Sequence, residues 1–335
     1  MALTLAVSGG AQAQLFKITK GDKPGALTES QWSALITELE DSINSELPSV
    51  ETGQYTKGMA NATAMASTGN AIYGSSFKYG LVGGSVSLGV DLGEGNKLSD
   101  FDAKKVAGVG LQSSVILGFS PGSVTSGQWG PIDPARLRVF LSFLTMDQDV
   151  DDASVSFTSM GLVGQYRLIQ EKSLGLSVLK WNGVDVSSGF RIAKNKFSFT
   201  QTMPEFSETS NGITASIAEA PATLGADVSV YSIPVEVSTS ARVLYVLNFF
   251  GGLGGDFNFG SSKAIADYTT PITVTGGGTA EGDLELGGNA SPTAWNLRAF
   301  AGLGFEFAIG SLNLGIGKSL TAGAWATSLG LNLFY

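Results

Sequence analysis

Residues 325–335 read Trp325-Ala326-Thr327-Ser328-Leu329-Gly330-Leu331-Asn332-Leu333-Phe334-Tyr335. Leu329, Leu331, Leu333 and Tyr335 fall on alternate positions, with Gly330, Asn332 and Phe334 between them. A period of two puts the first set on one face of a β-strand and the second on the other. The pattern recurs upstream from Lys78. Val82–Leu92, Val109–Phe119, Leu137–Phe143, Met160–Leu168, Val184–Ile192, Tyr231–Val237, 242–260, Leu297–Phe307 and 312–319 all alternate apolar residues with Gly, Ser or sparse charges. With 325–335 this makes ten strands, an even number that brings both ends of a barrel to the periplasmic side. Eight or twelve strands satisfy the pattern less directly. The connections 93–105, 147–153, 204–225 and 261–290 then face outward, and those near 239–241 and 309–311 are tight turns, with longer ones at 120–135 and 169–182.

Composition agrees with a membrane barrel. Charged residues are 15% of 335, there are 45 Gly and 10 Pro, and no apolar run is long enough for a spanning helix. A soluble β-sandwich alternates in the same way. However, a Gly/Ser face is a poor solvent face, and Tyr79, Phe119, Phe143, Tyr166, Phe257, Phe259, Trp295 and Tyr335 sit towards strand ends, as an interfacial girdle does. The fold expected is an antiparallel up-and-down transmembrane β-barrel preceded by a helical segment.

Three regions are expected: residues 1–13, 14–77 and 78–335. The apolar run Ala2–Val7 and the small-x-small site Ala11-Gln12-Ala13 read as a signal peptide, without its basic region and so cut short, releasing a chain from Gln14. Thr28-Glu29-Ser30-Gln31 has the form of a helix-starting capping box. Trp32, Leu35, Ile36, Leu39, Ile43 and Leu47 then form one apolar stripe, opposite Glu38, Glu40, Asp41 and Glu46, before Pro48. Burying six such side chains contributes on the order of 10 kcal/mol before ordering costs, so the stripe is expected to be covered. The lumen, the periplasmic rim and a partner protein are the candidate covers. Met59–Ile72, rich in Ala, Thr and Met, reads as a second, small-faced helix.

The chain has no Cys and no His, which excludes disulfides, thiolate or imidazole metal sites and Ser–His–Asp catalysis. Its net charge of −9 argues against nucleic acid as a partner. Gly252-x-Gly254 lacks the following helix of a dinucleotide loop; glycines there let a strand bend or admit bulky neighbours. Asp147, Asp149, Asp151 and Asp152 crowd one outer connection, but the calcium-loop pattern fails at Asp152 and Thr158, and a solvated acidic loop is the simpler reading. No enzyme, cofactor or metal is expected. The informative polar set is Asp91, Arg138, Arg167, Asp185, Arg191, Glu236, Asp256, Arg298 and Glu306, all on inward positions of the strands. Facing lipid, each would cost about 2–4 kcal/mol at mid-membrane, so these charges belong in the lumen, either paired or lining a pore.

The end of the chain, Leu329-Gly330-Leu331-Asn332-Leu333-Phe334-Tyr335, resembles the assembly signal of bacterial outer-membrane barrels. Lys180-Trp181-Asn182-Gly183-Val184 and Gly251-Gly252-Leu253-Gly254-Gly255-Asp256 are similar to segments of spirochaete outer-membrane proteins. A helical segment before the barrel resembles the long-chain fatty-acid transporters, although their hatch motif is not matched. These resemblances imply the outer membrane of a diderm bacterium. Outer-membrane and lipopolysaccharide-type lipid, the barrel assembly machinery and an envelope protein are the partners implied. Three functions follow: a small channel with an N-terminal plug, a surface barrel binding external partners through its outer loops, and a subunit docked through 14–77. Residues 261–290, with Gly276-Gly277-Gly278, look too flexible and polar for a preformed binding face.

Overall fold

The computed structural model describes residues 16–46, 52–68, 77, 79–93, 106–125, 127–173, 178–210, 212–284 and 288–335. The signal-peptide site, Leu47, Pro48 and Ile72 lie outside these. In chain order the elements are β1 (Phe16–Lys20), α1 (Glu29–Glu46), α2 (Thr52–Thr68), β2 (Gly80–Asp91), β3 (Gly108–Phe119), β4 (Leu137–Val150), β5 (Ala153–Ile169) and a short β6 (Lys172–Ser173). There follow β7 (Leu179–Met203), β8 (Phe206–Ser210), β9 (Ile213–Ile217), β10 (Ala220–Val243), β11 (Leu247–Asp267), β12 (Thr269–Val274) and β13 (Gly278–Leu284). A short β14 (Asn289–Ala290), β15 (Trp295–Phe307), β16 (Gly310–Ser319) and β17 (Ala324–Phe334) complete the chain.

Ten strands, β2, β3, β4, β5, β7, β10, β11, β15, β16 and β17, pair antiparallel in that order, and β17 pairs back onto β2 from Ala324↔Asp91 to Phe334↔Leu81. Closure leaves the wall no open edge and satisfies backbone groups within it, as a lipid environment requires. The register explains which face is which. Phe143, Met160, Ile192, Tyr231 and Phe259 lie in one row across five strands, all on the outside. Val82, Val86, Leu253, Leu297, Leu314 and Leu329 are likewise exposed. An apolar belt around the whole wall is unacceptable in water and is what a bilayer requires. The protein is an outer-membrane β-barrel.

The wall begins and ends at one rim, where the Tyr335 N–H donates to the Gly80 carbonyl at 3.2 Å. The opposite rim carries three long connections, at 92–107, 204–219 and 268–294, against one of comparable length, 120–136, on the first rim, and is the outer one. One expected turn moves. Residues 239–241 stay in β10, which pairs with β11 as far as Val243↔Leu247, and the turn falls at 244–246, with Leu244 and Tyr245 at φ 53° and 63°. Thr239-Ser240-Ala241 resembles a turn in composition, but Ser240 accepts a hydrogen bond from the Asn182 amide at 2.9 Å inside the barrel.

The outer connections also differ from the expectation. Most of residues 261–284 are strand: β11 runs on to Asp267, and β12 and β13 follow as a hairpin. That hairpin joins β8, β9 and the N-terminal β1 in a five-stranded sheet, ordered β1-β13-β12-β9-β8, at the outer mouth. Helix α1 packs on this sheet. Its start is closed by the reciprocal hydrogen bonds of the capping box, Gln31 N–H to Thr28 Oγ1 (3.3 Å) and Thr28 N–H to Gln31 Oε1 (3.0 Å). Asn44 ties α1 to β1, accepting from the Phe16 N–H at 2.9 Å and donating to its carbonyl at 3.0 Å.

The stripe Trp32, Leu35, Ile36, Leu39 and Ile43 is buried against Phe16, Ile213, Ile217, Tyr268, Ile272 and Leu284. It is thus covered by outer strands of its own chain, and not by the lumen, the periplasmic rim or a partner. The pairing joins segments about 170 to 260 positions apart, which no local pattern announces. Leu39→Ala should cost about 2–5 kcal/mol of cap stability. Limited proteolysis in micelles should then cut between residues 16 and 46 more readily than in the unmodified chain, while the heat-modifiable shift of the barrel stays unchanged.

Candidate functional site

The lumen holds a helix. Thr52–Thr68 is built from Gly, Ala, Thr, Ser and Met with few large side chains. It packs inside the wall against β2, β3, β7, β10, β11 and β17. Eight strands enclose about enough space for their own side chains. Ten strands with a small-residue lining leave room for a slender helix. The lining is closest at Gly89, Gly108 and Gly110, on inward positions of β2 and β3. A Cβ on Gly89 would lie 2.0 Å from the Ala62 carbonyl oxygen, on Gly108 2.1 Å from the Gly58 carbonyl carbon, and on Gly110 2.5 Å from the Thr63 nitrogen. Helix backbone therefore rests directly on wall backbone, and each of these contacts excludes any side chain.

Four polar ties fix the helix along its length. Near the outer mouth the Asn61 amide donates to Asp91 Oδ2 at 2.9 Å and its oxygen accepts from the Thr293 N–H at 2.8 Å. In the next turn Asn195 Nδ2 donates to Thr63 Oγ1 at 3.1 Å. At the inner end Arg191 Nη1 donates to the Ser67 carbonyl at 3.1 Å. That carbonyl is among the last four of α2, which have no intrahelical donor, and a cation there also complements the helix dipole.

Below the helix lies a charge network. Arg191, Arg298, Glu236 and Asp256 are 1–2% exposed. Arg298 binds Glu236 through Nη2 and Asp256 Oδ2 through Nε at 2.9 Å, and Arg191 Nη2 stands 3.7 Å from Glu236 Oε1. Ser187 Oγ donates to Glu236 at 3.0 Å and Asn296 Nδ2 to Asp256 at 3.2 Å. The partners come from four neighbouring strands, β7, β10, β11 and β15, so the network also ties one side of the wall together. Two guanidinium groups meet two carboxylates, and removing one partner would leave a buried charge uncompensated.

A second layer fills the periplasmic end. Arg167 pairs with Asp185 at 3.1 Å and with Glu171 at 3.6 Å, and Arg242 pairs with Glu306. Arg138 lies over the Phe77 ring at 5.3 Å, beside an apolar cluster of Phe77, Leu81, Ile116, Phe140, Val163 and Phe334. Between the layers a cavity of about 20 Å³ is bounded by Met65, Phe250, Arg298 and Phe300, space for about one water.

All nine charged residues singled out in the sequence sit on inward positions, and eight of them enter the two layers or the Asn61 tie as charged or hydrogen-bonded partners of Asp, Glu, Arg or Asn, the ninth being Arg138 over the Phe77 ring. Arg242, Asn61, Asn195 and the three seat glycines were not singled out. Arg242 follows Ala241 where a turn was expected, and a glycine's role appears only when its cross-lumen neighbour is known. Gly252 and Gly254 admit bulky neighbours: a Cβ there would lie 2.6 Å from the Phe300 ring and 3.1 Å from the Arg298 guanidinium carbon. Leu329, Leu331 and Leu333 face lipid, Phe334 turns inward into the apolar cluster, and Tyr335 is exposed. Asp147 and Asp149 lie on the exposed end of β4 and Asp151 in its turn at φ 50°; among the described residues no group of three metal-binding side chains comes together.

The seat makes a sharp expectation. Gly110→Val should unseat α2 and raise single-channel conductance in planar bilayers, with overpacking of about 1–3 kcal/mol if the helix stays. Gly164→Val, on an outward position where the nearest atom to a Cβ is 3.9 Å away, should leave conductance unchanged.

Among solved structures the chain is similar to the transport unit of the autotransporter AIDA-I from Escherichia coli, at 9% identity over 84% of this chain and 99% of that one, with a TM-score of 0.35. It is similar to the translocator domain of the autotransporter NalP from Neisseria meningitidis at 12% identity, 79% and 91% coverage and a TM-score of 0.33. The Ralstonia pickettii toluene transporter TbuX aligns at 6% identity, 83% and 95% coverage and a TM-score of 0.24. No curated protein matches the chain. A family model described as Lsa36-like matches residues 10–334, nearly the whole length, and the chain belongs to that family.

Proposed function

We infer that this barrel is a surface-display protein: its lumen is a filled support, and its working face is the cap at the outer mouth. The observation that carries this reading is the path of α2. Gly58 sits beside Ala107 at the outer end of β3, while Ser67 reaches Arg191 halfway down the wall. The helix thus runs from outside to inside, so the segment before it, β1 and α1, is outside. There it completes a folded five-stranded sheet whose outward positions, Thr19, Thr209, Thr214, Thr269, Thr273 and Thr279, are polar and preformed. A rigid polar face supports the reading of a barrel that meets external partners.

An epitope inserted between Gly25 and Ala26 should be labelled by antibody on intact cells. The same epitope placed in the 244–246 turn should be labelled only after permeabilisation. The reverse pattern would place the cap in the periplasm and remove this reading.

A channel for small solutes is the second reading, with α2 as a removable plug. Its support is the polar inner face, with Ser85, Ser87, Gln112 and Ser114 buried beneath or beside the helix. Deleting residues 16–68 should open a steady conductance under this reading only if the wall holds its shape without the helix. A deletion variant that inserts but does not conduct leaves the display reading standing and sinks the channel.

A further inference from the structure

We propose that the outer wall across β7, β10 and β11 carries a binding site for the phosphorylated headgroup of a lipid in the outer leaflet. The inference rests on register. The last apolar row on this side of the barrel is Phe143, Met160, Ile192, Tyr231 and Phe259. The next outward row is Thr145, Thr158, Lys194, Ser229 and Ser261, and the one above it Asp147, Ser156, Lys196, Asp227 and Lys263. Apolar side chains give way to hydroxyls and ammonium groups within one pleat, which is where a bilayer passes from acyl chain to headgroup.

The lysines are placed as a group. Lys194 and Lys196 are two residues apart on β7 and point the same way. Lys263 lies two strands from Lys196, about 10 Å across the sheet. All three are exposed, and none pairs with a carboxylate among the described residues. Asp227 lies between Lys196 and Lys263, and Asp147 lies at the far end of that row beyond Ser156. Around the lysines the patch thus holds three cations and one carboxylate, in a chain whose net charge is −9. Four-carbon stems let the ammonium groups converge on one phosphate from three sides while their methylenes lie on the apolar row below. Ser229, Ser261 and Thr158 supply hydroxyl donors at the same level.

Directly beneath, the platform for the lipid's acyl part is aromatic. Tyr231 stacks on Phe259 with centroids 5.4 Å apart and an interplanar angle of 11°, and Phe190 lies against both at 6.3 and 6.4 Å. A rigid aromatic surface below a cationic patch suits an amphiphile with an anionic head, and free phosphate would use only the upper half.

The test is native mass spectrometry of the full chain released from micelles doped with a bis-phosphorylated glucosamine lipid. The unmodified protein should retain one copy. K194S/K196S/K263S should retain it at least about tenfold less, with its heat-modifiable band intact. The dephosphorylated lipid should be retained by neither. K318S, which removes an outward lysine resting on Trp325 elsewhere on the wall, should behave as the unmodified chain. Equal retention by the triple variant, or equal loss in K318S, would overturn the site. Displacement of the lipid by inorganic phosphate at equal concentration would reduce it to a free-anion site and overturn the lipid assignment.

Discussion

Backbone-to-backbone contact between α2 and the barrel wall is the constraint on which the rest of the structure turns. A helix has a fixed minimum width, and a ten-stranded barrel has a nearly fixed lumen. The two fit where the wall carries no side chain, at Gly89, Gly108 and Gly110, which rest on the helix backbone at Ala62, Gly58 and Thr63. The close fit aligns the helix so that Asn61 meets Asp91 and Ser67 meets Arg191. Once Arg191 is held against the end of α2, its second nitrogen faces Glu236, and through it Arg298 and Asp256. The charge network is thus both the floor of the helix seat and a cross-brace between four strands.

The same constraint decides what lies outside. With α2 fixed in the lumen, the chain before it can only emerge at the outer mouth. Its stripe of Trp32, Leu35, Ile36, Leu39 and Ile43 must then be covered outside the membrane, away from both lipid and lumen. The extensions of β7, β10 and β11, at 25, 24 and 21 residues, reach well past the roughly 9–11 residues that span a bilayer and carry the hairpins that cover it. Long strands, structured outer connections and a threaded helix are therefore one solution to one packing problem.

Much of this was legible in the sequence. Alternation over ten segments gives strand number, order and the facing of the nine inward charges it picks out, though not of Arg242, because period two is local and a one-residue slip would have exposed Arg191 or Arg298 to lipid. The small-residue stretch from Met59 marked a helix meant for close packing. What was not legible is non-local. The stripe on α1 states that it needs a cover but not which one, and its cover is assembled from strands near 213, 272 and 284. Residues 261–290 looked flexible because Gly276-Gly277-Gly278 was read as a tract, whereas Gly276 and Gly277 supply the positive φ of a tight hairpin between β12 and β13. The seat glycines were visible only as part of a glycine-rich composition, since their meaning lies across the lumen.

Amide hydrogen exchange of the full chain in lipid nanodiscs tests the central claim most directly. A seated α2 has its amides shielded by the wall on all sides, so residues 56–68 should exchange as slowly as β10 and β11, and more slowly than α1, which has one face in water. Exchange of residues 56–68 at the rate of an exposed helix, with the wall strands still protected, would mean that the lumen does not hold this segment, and the account of the fold and of its outer face would fall with it.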